Sequence, residues 1–324
     1  MVSDLDYTFA VARIRANERY MLNSSDIEAI ISADSVEKAV SFLSSKKWFD
    51  LSVNSSIKEI CENAQKKLWT LLTESVPDKS ELEIFTVQND FFNFKSALKA
   101  SFSDKYREDT YIYPTSVDVI KLKDAFLKHD FGMFDEKYKD ILIEAADALN
   151  KTDNGQIAEI ILDKAALTFL LNKAQKSKCR LLREIVEFYV SVSNIKIAVR
   201  CILTKKGSAF AEKSMVKCES LDVEKMIKLC DEDFDSLLKY LNKTEYKKAA
   251  ELLSESTVLF EKWVDNTIVD IAKKSKFEFF GFSPICGYYY GKLSEIKTVK
   301  SILSCKENGF SEDLIRERVR TLYV

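Results

Sequence analysis

One short signature occurs three times in this chain: Asn93-Phe94-Lys95, Asn194-Ile195-Lys196 and Glu295-Ile296-Lys297. The intervals 194 − 93 and 295 − 194 are both 101 residues. The flanks repeat with it. Val87, Phe188 and Tyr289 stand six positions upstream, Phe91, Val192 and Leu293 two upstream, and Ala97, Ala198 and Val299 four downstream. Apolar residues at such offsets return to one face every three or four positions, so each copy predicts an amphipathic helix. At about 100° per residue the Lys falls at one border of the apolar stripe and the Asn or Glu beyond the other. A period this long is enough for each copy to bury some core of its own, unlike a solenoid motif of roughly 30 to 40 residues.

The repeat predicts three tandem helical domains, 1–107, 108–208 and 209–324. Turn-formers agree with it: 7 Gly and 3 Pro in 324 residues, against average usage of about 7% and 5%. Such a chain makes few tight hairpins but can run long helices joined by short polar loops. Helices are expected at Leu5–Met21, Ile57–Leu72, Glu81–Phe102, Ile157–Ala174, Lys178–Thr204, Leu252–Ala272 and Tyr288–Ser304. Caps are expected at Ser24 or Ser25, within Ser116-Val117-Asp118 and within Ser311-Glu312-Asp313. Phe277 to Gly287 is the least helical stretch, and the third domain reopens as the first does, with Leu241 and Tyr246 matching Leu43 and Trp48 at an offset of 198.

Several function classes find no residues to carry them. With 49 basic and 51 acidic side chains in mixture, the net charge is −2, and the basic footprint of a nucleic-acid binder is missing. The apolar run Ala165–Leu171, interrupted by Thr168, is far short of the roughly 20 residues that span a bilayer. The acidic start Met1-Val2-Ser3-Asp4-Leu5-Asp6 does not read as a signal peptide. Seven cysteines without CxxC spacing read as reduced, buried thiols in a cytosolic compartment. Cys218 and Cys230 lack the second pair that a structural zinc needs. No phosphate-cradling glycine motif or nucleophile elbow exists, and the single histidine, His129, reads as a surface residue at a helix end. No catalytic, cofactor or metal site is expected. Asn93, Lys95, Asn194, Lys196, Arg200, Glu295 and Lys297 are instead candidate socket or inter-domain contacts. For the three lysines, burying the stem with the ammonium in water or paired to a neighbouring unit is preferred to a ring of contacts about a shared axis. For Phe277, Phe279, Phe280, Phe282, Tyr288, Tyr289 and Tyr290, core packing is preferred to a ligand cage.

Three stretches carry a resemblance to a known family. Tyr7-Thr8-Phe9-Ala10-Val11-Ala12-Arg13-Ile14-Arg15-Ala16, Asp90-Phe91-Phe92-Asn93-Phe94-Lys95, and the C-terminal series Phe280-Gly281-Phe282-Ser283-Pro284, Gly287-Tyr288-Tyr289-Tyr290 and Glu295-Ile296-Lys297 occur in order. Ile315-Arg316-Glu317-Arg318 and Tyr323-Val324 follow them. Together they resemble the C subunit of V/A-type ATPases, the counterpart of the d subunit of the eukaryotic vacuolar enzyme. Lys306-Glu307-Asn308 stands where that family often has a Gly-Lys pair.

The resemblance implies an all-α, funnel-shaped protein of three similar domains about a pseudo-threefold axis. It implies a non-catalytic rotor component on the cytoplasmic face of the membrane. Its partners would be the D and F subunits of the central stalk and the membrane rotor ring of proteolipid subunits. Membrane contact would be indirect, through the ring. Torque would pass through it during ATP-coupled proton or sodium transport. The rival reading is a soluble all-helical scaffold or adaptor unrelated to a rotary motor, which needs neither a threefold axis nor a ring.

Overall fold

The computed structural model describes residues 3–50, 52, 54–102, 110–152 and 155–324. It is all-α, with no strand among the described residues. The helices are α1 (Thr8–Glu18), α2 (Ser24–Ser32), α3 (Val36–Ser45), α4 (Ile57–Ser75), α5 (Val87–Phe102) and α6 (Val119–Lys128). Next come α7 (Glu136–Thr152), α8 (Gly155–Lys176), α9 (Arg180–Leu203), α10 (Gly207–Ser214) and α11 (Val223–Leu229). The chain ends with α12 (Phe234–Leu241), α13 (Lys247–Glu255), α14 (Thr257–Lys273), α15 (Ser283–Glu307) and α16 (Glu312–Arg318). None of them is long and apolar enough to cross a membrane among the described residues.

Local chemistry sets the boundaries. The cap of α2 is Asn23 rather than either serine after it: its side chain accepts the Asp26 N–H, and the Asp26 carboxylate accepts the Asn23 N–H in return. Asp118 and Ser311 cap α6 and α16, as their sequence contexts predict. Two expected helices are shorter than their apolar pattern. Lys79–Phe85 is a 3-10 turn ahead of α5. Ser256, in an extended conformation, accepts the Val258 N–H and so divides α13 from α14. α7 is a long helix beyond those expected, with Tyr138, Leu142, Ala145, Ala146 and Leu149 on its buried face. His129 ends α6 in the left-handed region, with Nε2 3.3 Å from Asp147.

Contacts divide the chain into two compact units of interleaved segments. The first holds Met1–Leu82, Ser177–Ile185 and Glu255–Val324; the second holds Glu83–Lys176 and Val186–Ser254. The division into 1–107, 108–208 and 209–324 is one of sequence period. In the first unit α15 is the central member, packing on α1, α2, α3, α4, α14 and α16. Its Ile296, Val299, Ile302 and Leu303 join Leu22, Ile30, Leu43, Trp48 and Ile60 in one core. Gly287 and Gly291 let other chain segments lie on α15. A Cβ on Gly287 would sit 1.9 Å from Ser275 Oγ, and one on Gly291 would sit 2.5 Å from Tyr323 Cγ. In the second unit α5 packs on α6 and α8, and α8 on α7. Phe91 and Phe94 meet Tyr138 edge-on at 5.8 and 5.2 Å, and Phe169 stacks on Tyr138. Full burial of Phe91 and Phe94 contributes about 1.5–3 kcal/mol each.

The aromatic block divides. Phe282, Tyr288 and Tyr289 are buried, but Phe277, Phe279 and Phe280 are exposed, Phe277 at 83%. Arg15 explains the difference by donating to the carbonyls of Ser275 (2.6 Å) and Glu278 (2.8 Å). With the loop backbone held against α1 by Arg15, these three rings are left in solvent. All seven cysteines are free and buried.

Candidate functional site on the signature helices

The three signature copies fall on α5, α9 and α15, and their polar residues are in the interior. Asn93 and Asn194 have no exposed surface and Glu295 has 3%. Amphipathic geometry alone puts them beyond the apolar stripe. The structure corrects that expectation: each grips the main chain of a non-helical segment, buried at Val216 and Leu22 and partly exposed at Ile112.

Asn93 donates Nδ2–H to the Ile112 carbonyl (3.0 Å) and accepts the Ile112 N–H (2.9 Å). Asn194 repeats this with Val216, at 2.7 and 3.1 Å. An amide side chain carries one acceptor and one donor group, so it can bond both polar groups of a single residue as a neighbouring strand would. Glu295 offers acceptors only. Its Oε2 takes the Leu22 N–H (2.7 Å), and its Oε1 takes Trp48 Nε1–H (2.6 Å) and the Lys292 ammonium.

A second polar position lies three residues earlier, at Asp90, Ser191 and Lys292, again at intervals of 101. Asp90 is fully buried and accepts from Thr115 Oγ1 (2.5 Å), the Ser116 N–H (2.8 Å), Ser116 Oγ (2.6 Å), Tyr138 (3.1 Å) and Thr86 (3.2 Å). Ser191 shares a 2.6 Å hydrogen bond with Ser220, whose N–H and hydroxyl both donate to Glu187. Lys292 is paired with Glu295 and lies over the Trp48 ring, 5.3 Å from its centroid. An aromatic hydrogen-bonding group belongs to each cluster: Trp48, Tyr138 and, 2.8 Å from Ser220, Tyr246. Burial and the nearby Asp90 carboxylate push the Tyr138 phenol well above its usual range, so it remains a donor. Burial likewise pushes Tyr246 up to about 12.

The clamps succeed one another around the chain. The first signature helix grips Ile112, and the second grips Val216, each six residues before the aspartate (Asp118, Asp222) that caps the next helix. The third grips Leu22, directly before Asn23, the cap of α2. The third copy thus holds the head of the first repeat.

The lysines do not share one role. Lys95 pairs with Asp163 on α8, which follows α5 in chain order. Lys297 pairs at 2.6 Å with Asp265 on α14, the helix before its own. Lys196 is half-buried, and Arg200 is exposed at the end of α9. Trp48, Tyr138, Tyr246, Ser191 and Lys292 belong to the clamps without being marked as site residues by the triplet. A signal for two of them exists: the 101-residue period also returns a polar residue three positions before each triplet, on the apolar side of the helix.

Comparison with known proteins identifies the family. The family model for the ATP synthase (C/AC39) subunit matches residues 10–318. This chain belongs to that family. It is 23% identical over 321 residues to the C subunit of the V-type sodium ATPase of Enterococcus hirae, covering 96% of this chain and 97% of that protein. It is 27% identical over 358 residues to the C subunit of the A-type ATP synthase of Methanocaldococcus jannaschii, covering 100% and 88%. The corresponding Methanosphaera stadtmanae protein is 25% identical over 327 residues, covering 94% and 84%. Family membership makes the chain part of a rotary ATPase or ATP synthase complex, with partner subunits.

Proposed function

We propose that this family member is a non-catalytic rotor hub on the cytoplasmic face of the membrane. It joins the D and F subunits of the central stalk to the proteolipid ring and transmits torque between ion flow and ATP chemistry. In this reading the three repeats stand about a pseudo-threefold axis as a funnel, with α5, α9 and α15 buttressing the socket and Lys95, Lys196, Arg200 and Lys297 at its edges. The supporting observation is the cyclic order of the clamps. A linear array of repeats would leave the last signature helix without a head to hold; here Glu295 holds Leu22, in the first repeat. Torque transmission needs a body that does not shear, and buried side chain-to-backbone hydrogen bonds resist shear because each loses its geometry within a fraction of an ångström.

The test is a reconstitution. Purified protein should be retained by immobilised ring, and should then recruit a D–F complex that bare ring does not hold. Recovery of neither partner would overturn the reading. An assembled-complex structure with α5, α9 and α15 sharing no axis would remove the socket part of it.

A further inference from the structure

The 101-residue period aligns α8 with α14, and their outer faces differ. On α14, residues 262, 265 and 266 are covered by the end of α16 and by the segment after it, which runs without helix beyond Arg318. Lys262 donates to the Glu317 carbonyl (2.5 Å), Asp265 binds Arg320 Nε (2.5 Å), and Asn266 accepts the Thr321 N–H (2.8 Å). One period earlier, α8 carries Ile161, Lys164 and Ala165 at these positions. That face is open. It floors a groove of about 980 Å³, flanked by Ile141 of α7 and by Ala209 and Phe210 of α10. Ile157, Ile160 and Ile161 are only half-buried along it, the expected look of a helix apolar on both faces whose second face lacks a cover.

The charge at the edges says what kind of cover fits. Among the described residues, Lys164, Lys206 and Lys213 line the groove against one carboxylate, Glu144. Lys164 bonds a backbone carbonyl, that of Glu212, and Lys206 bonds the Gln156 amide and lies 4.5 Å from the Phe210 ring centroid. Both partners are neutral, so neither bond cancels the positive charge. Where α14 offers Asp265 to an arginine, α8 offers Lys164.

We propose that this groove of the second unit is a docking site for an acidic, extended segment of a partner subunit. The segment lies along α8 as the C-terminal segment lies along α14, with a carboxylate on Lys164 and apolar side chains on Ile157 and Ile161. The inference stands on the comparison of α8 with α14 and on membership of a complex of several subunits, whatever that complex does.

The experiment places a benzoyl-phenylalanine photocrosslinker at Ile161 and, separately, at Thr168 in the purified assembled complex, and maps the product by mass spectrometry. The expected product joins one of these positions to a segment of another subunit rich in Asp or Glu. Lys164→Glu should lower its yield about tenfold, as expected for a charge pair converted to a repulsion. Lysine at the mapped carboxylate should restore the yield. No product at either position, a product with a neutral or basic segment, a product with a second copy of this chain, or indifference to Lys164→Glu would each overturn the proposal. Circular dichroism melting of each variant separates loss of docking from loss of fold.

Discussion

The first and third clamps solve one problem with different chemistry. In the first, the work is divided: Asn93 bonds both backbone groups of Ile112, while Asp90, a turn earlier, collects hydroxyl and N–H donors from the following loop. In the third, Glu295 alone takes a backbone N–H and an indole N–H, and Lys292 replaces the carboxylate of the first clamp with a cation. Neutral amide bonds are each modest in net effect, and removing the amide strands only neutral partner groups. An ion pair nine-tenths buried costs desolvation of both charges, so removing one member strands the other. The third clamp is therefore the more brittle.

The largest expected effect comes from Glu295→Ala. It leaves Lys292, the Leu22 N–H and the Trp48 indole without their acceptor, and should destabilise the protein by about 3–5 kcal/mol in denaturant titrations. Lys292→Met combined with Glu295→Gln should recover much of that loss; a double variant as weak as the single one would show that the charge pair is not the cause. Asn194→Ala follows, at about 1–3 kcal/mol, because one buried N–H and one buried carbonyl lose their partners. Asn93→Ala should cost less, about 1 kcal/mol, because Ile112 is partly open to water. Either one matching Glu295→Ala would break the comparison.

The next effect lies in the alkaline limb. Tyr246 titrates near 12 in the folded protein and near 10 when unfolded. The unfolded chain therefore loses this proton first as pH rises, and stability falls between those two values. Tyr246→Phe should flatten that part of the pH–stability curve, and an unchanged slope would refute the assignment. Smallest are Lys95→Ala and Lys297→Ala. Their ammonium groups are partly in solvent, so each pair should contribute about 0–1 kcal/mol. A larger loss would return the lysines to the centre of the site.

How much of this is legible in the sequence depends on which atoms do the bonding. Helices are readable because apolar residues recur with the helical period and glycine and proline are scarce. The polar positions of the clamps are readable as a repeat. Their partners are not: Ile112, Val216 and Leu22 are bound through main-chain atoms, which any residue supplies, so no pattern of side chains marks them. The spacing is no guide either, since Asn93 reaches 19 residues forward and Glu295 reaches 273 back. The lysines show the converse. A shared register predicts a shared role, yet Lys95 and Lys297 bind helices on opposite sides of their own in chain order. Register fixes direction on a helix but not what the neighbouring helix presents there. Phe277, Phe279 and Phe280 mislead for a third reason: their hydrophobicity suggests burial, yet all three rings are exposed on a loop whose backbone Arg15 holds.

The seat of Tyr323 on Gly291 has a bearing on how the protein is made. The tyrosine hydroxyl reaches Ser275 (2.9 Å) and Glu18 (3.1 Å), and Glu18 is paired with Arg15 of the same helix. During synthesis, α1 leaves the ribosome some three hundred residues ahead of the side chain that completes its surroundings. Every local contact of the second unit can form while translation continues. The first unit must wait, because its two main segments are separated in sequence by the whole of the second, and its packing on α15 is complete only once Tyr323 has been made. Loop-closure entropy makes that late step the slow one, so a truncation before Tyr323 should leave nascent α1 exposed to chaperones and proteases.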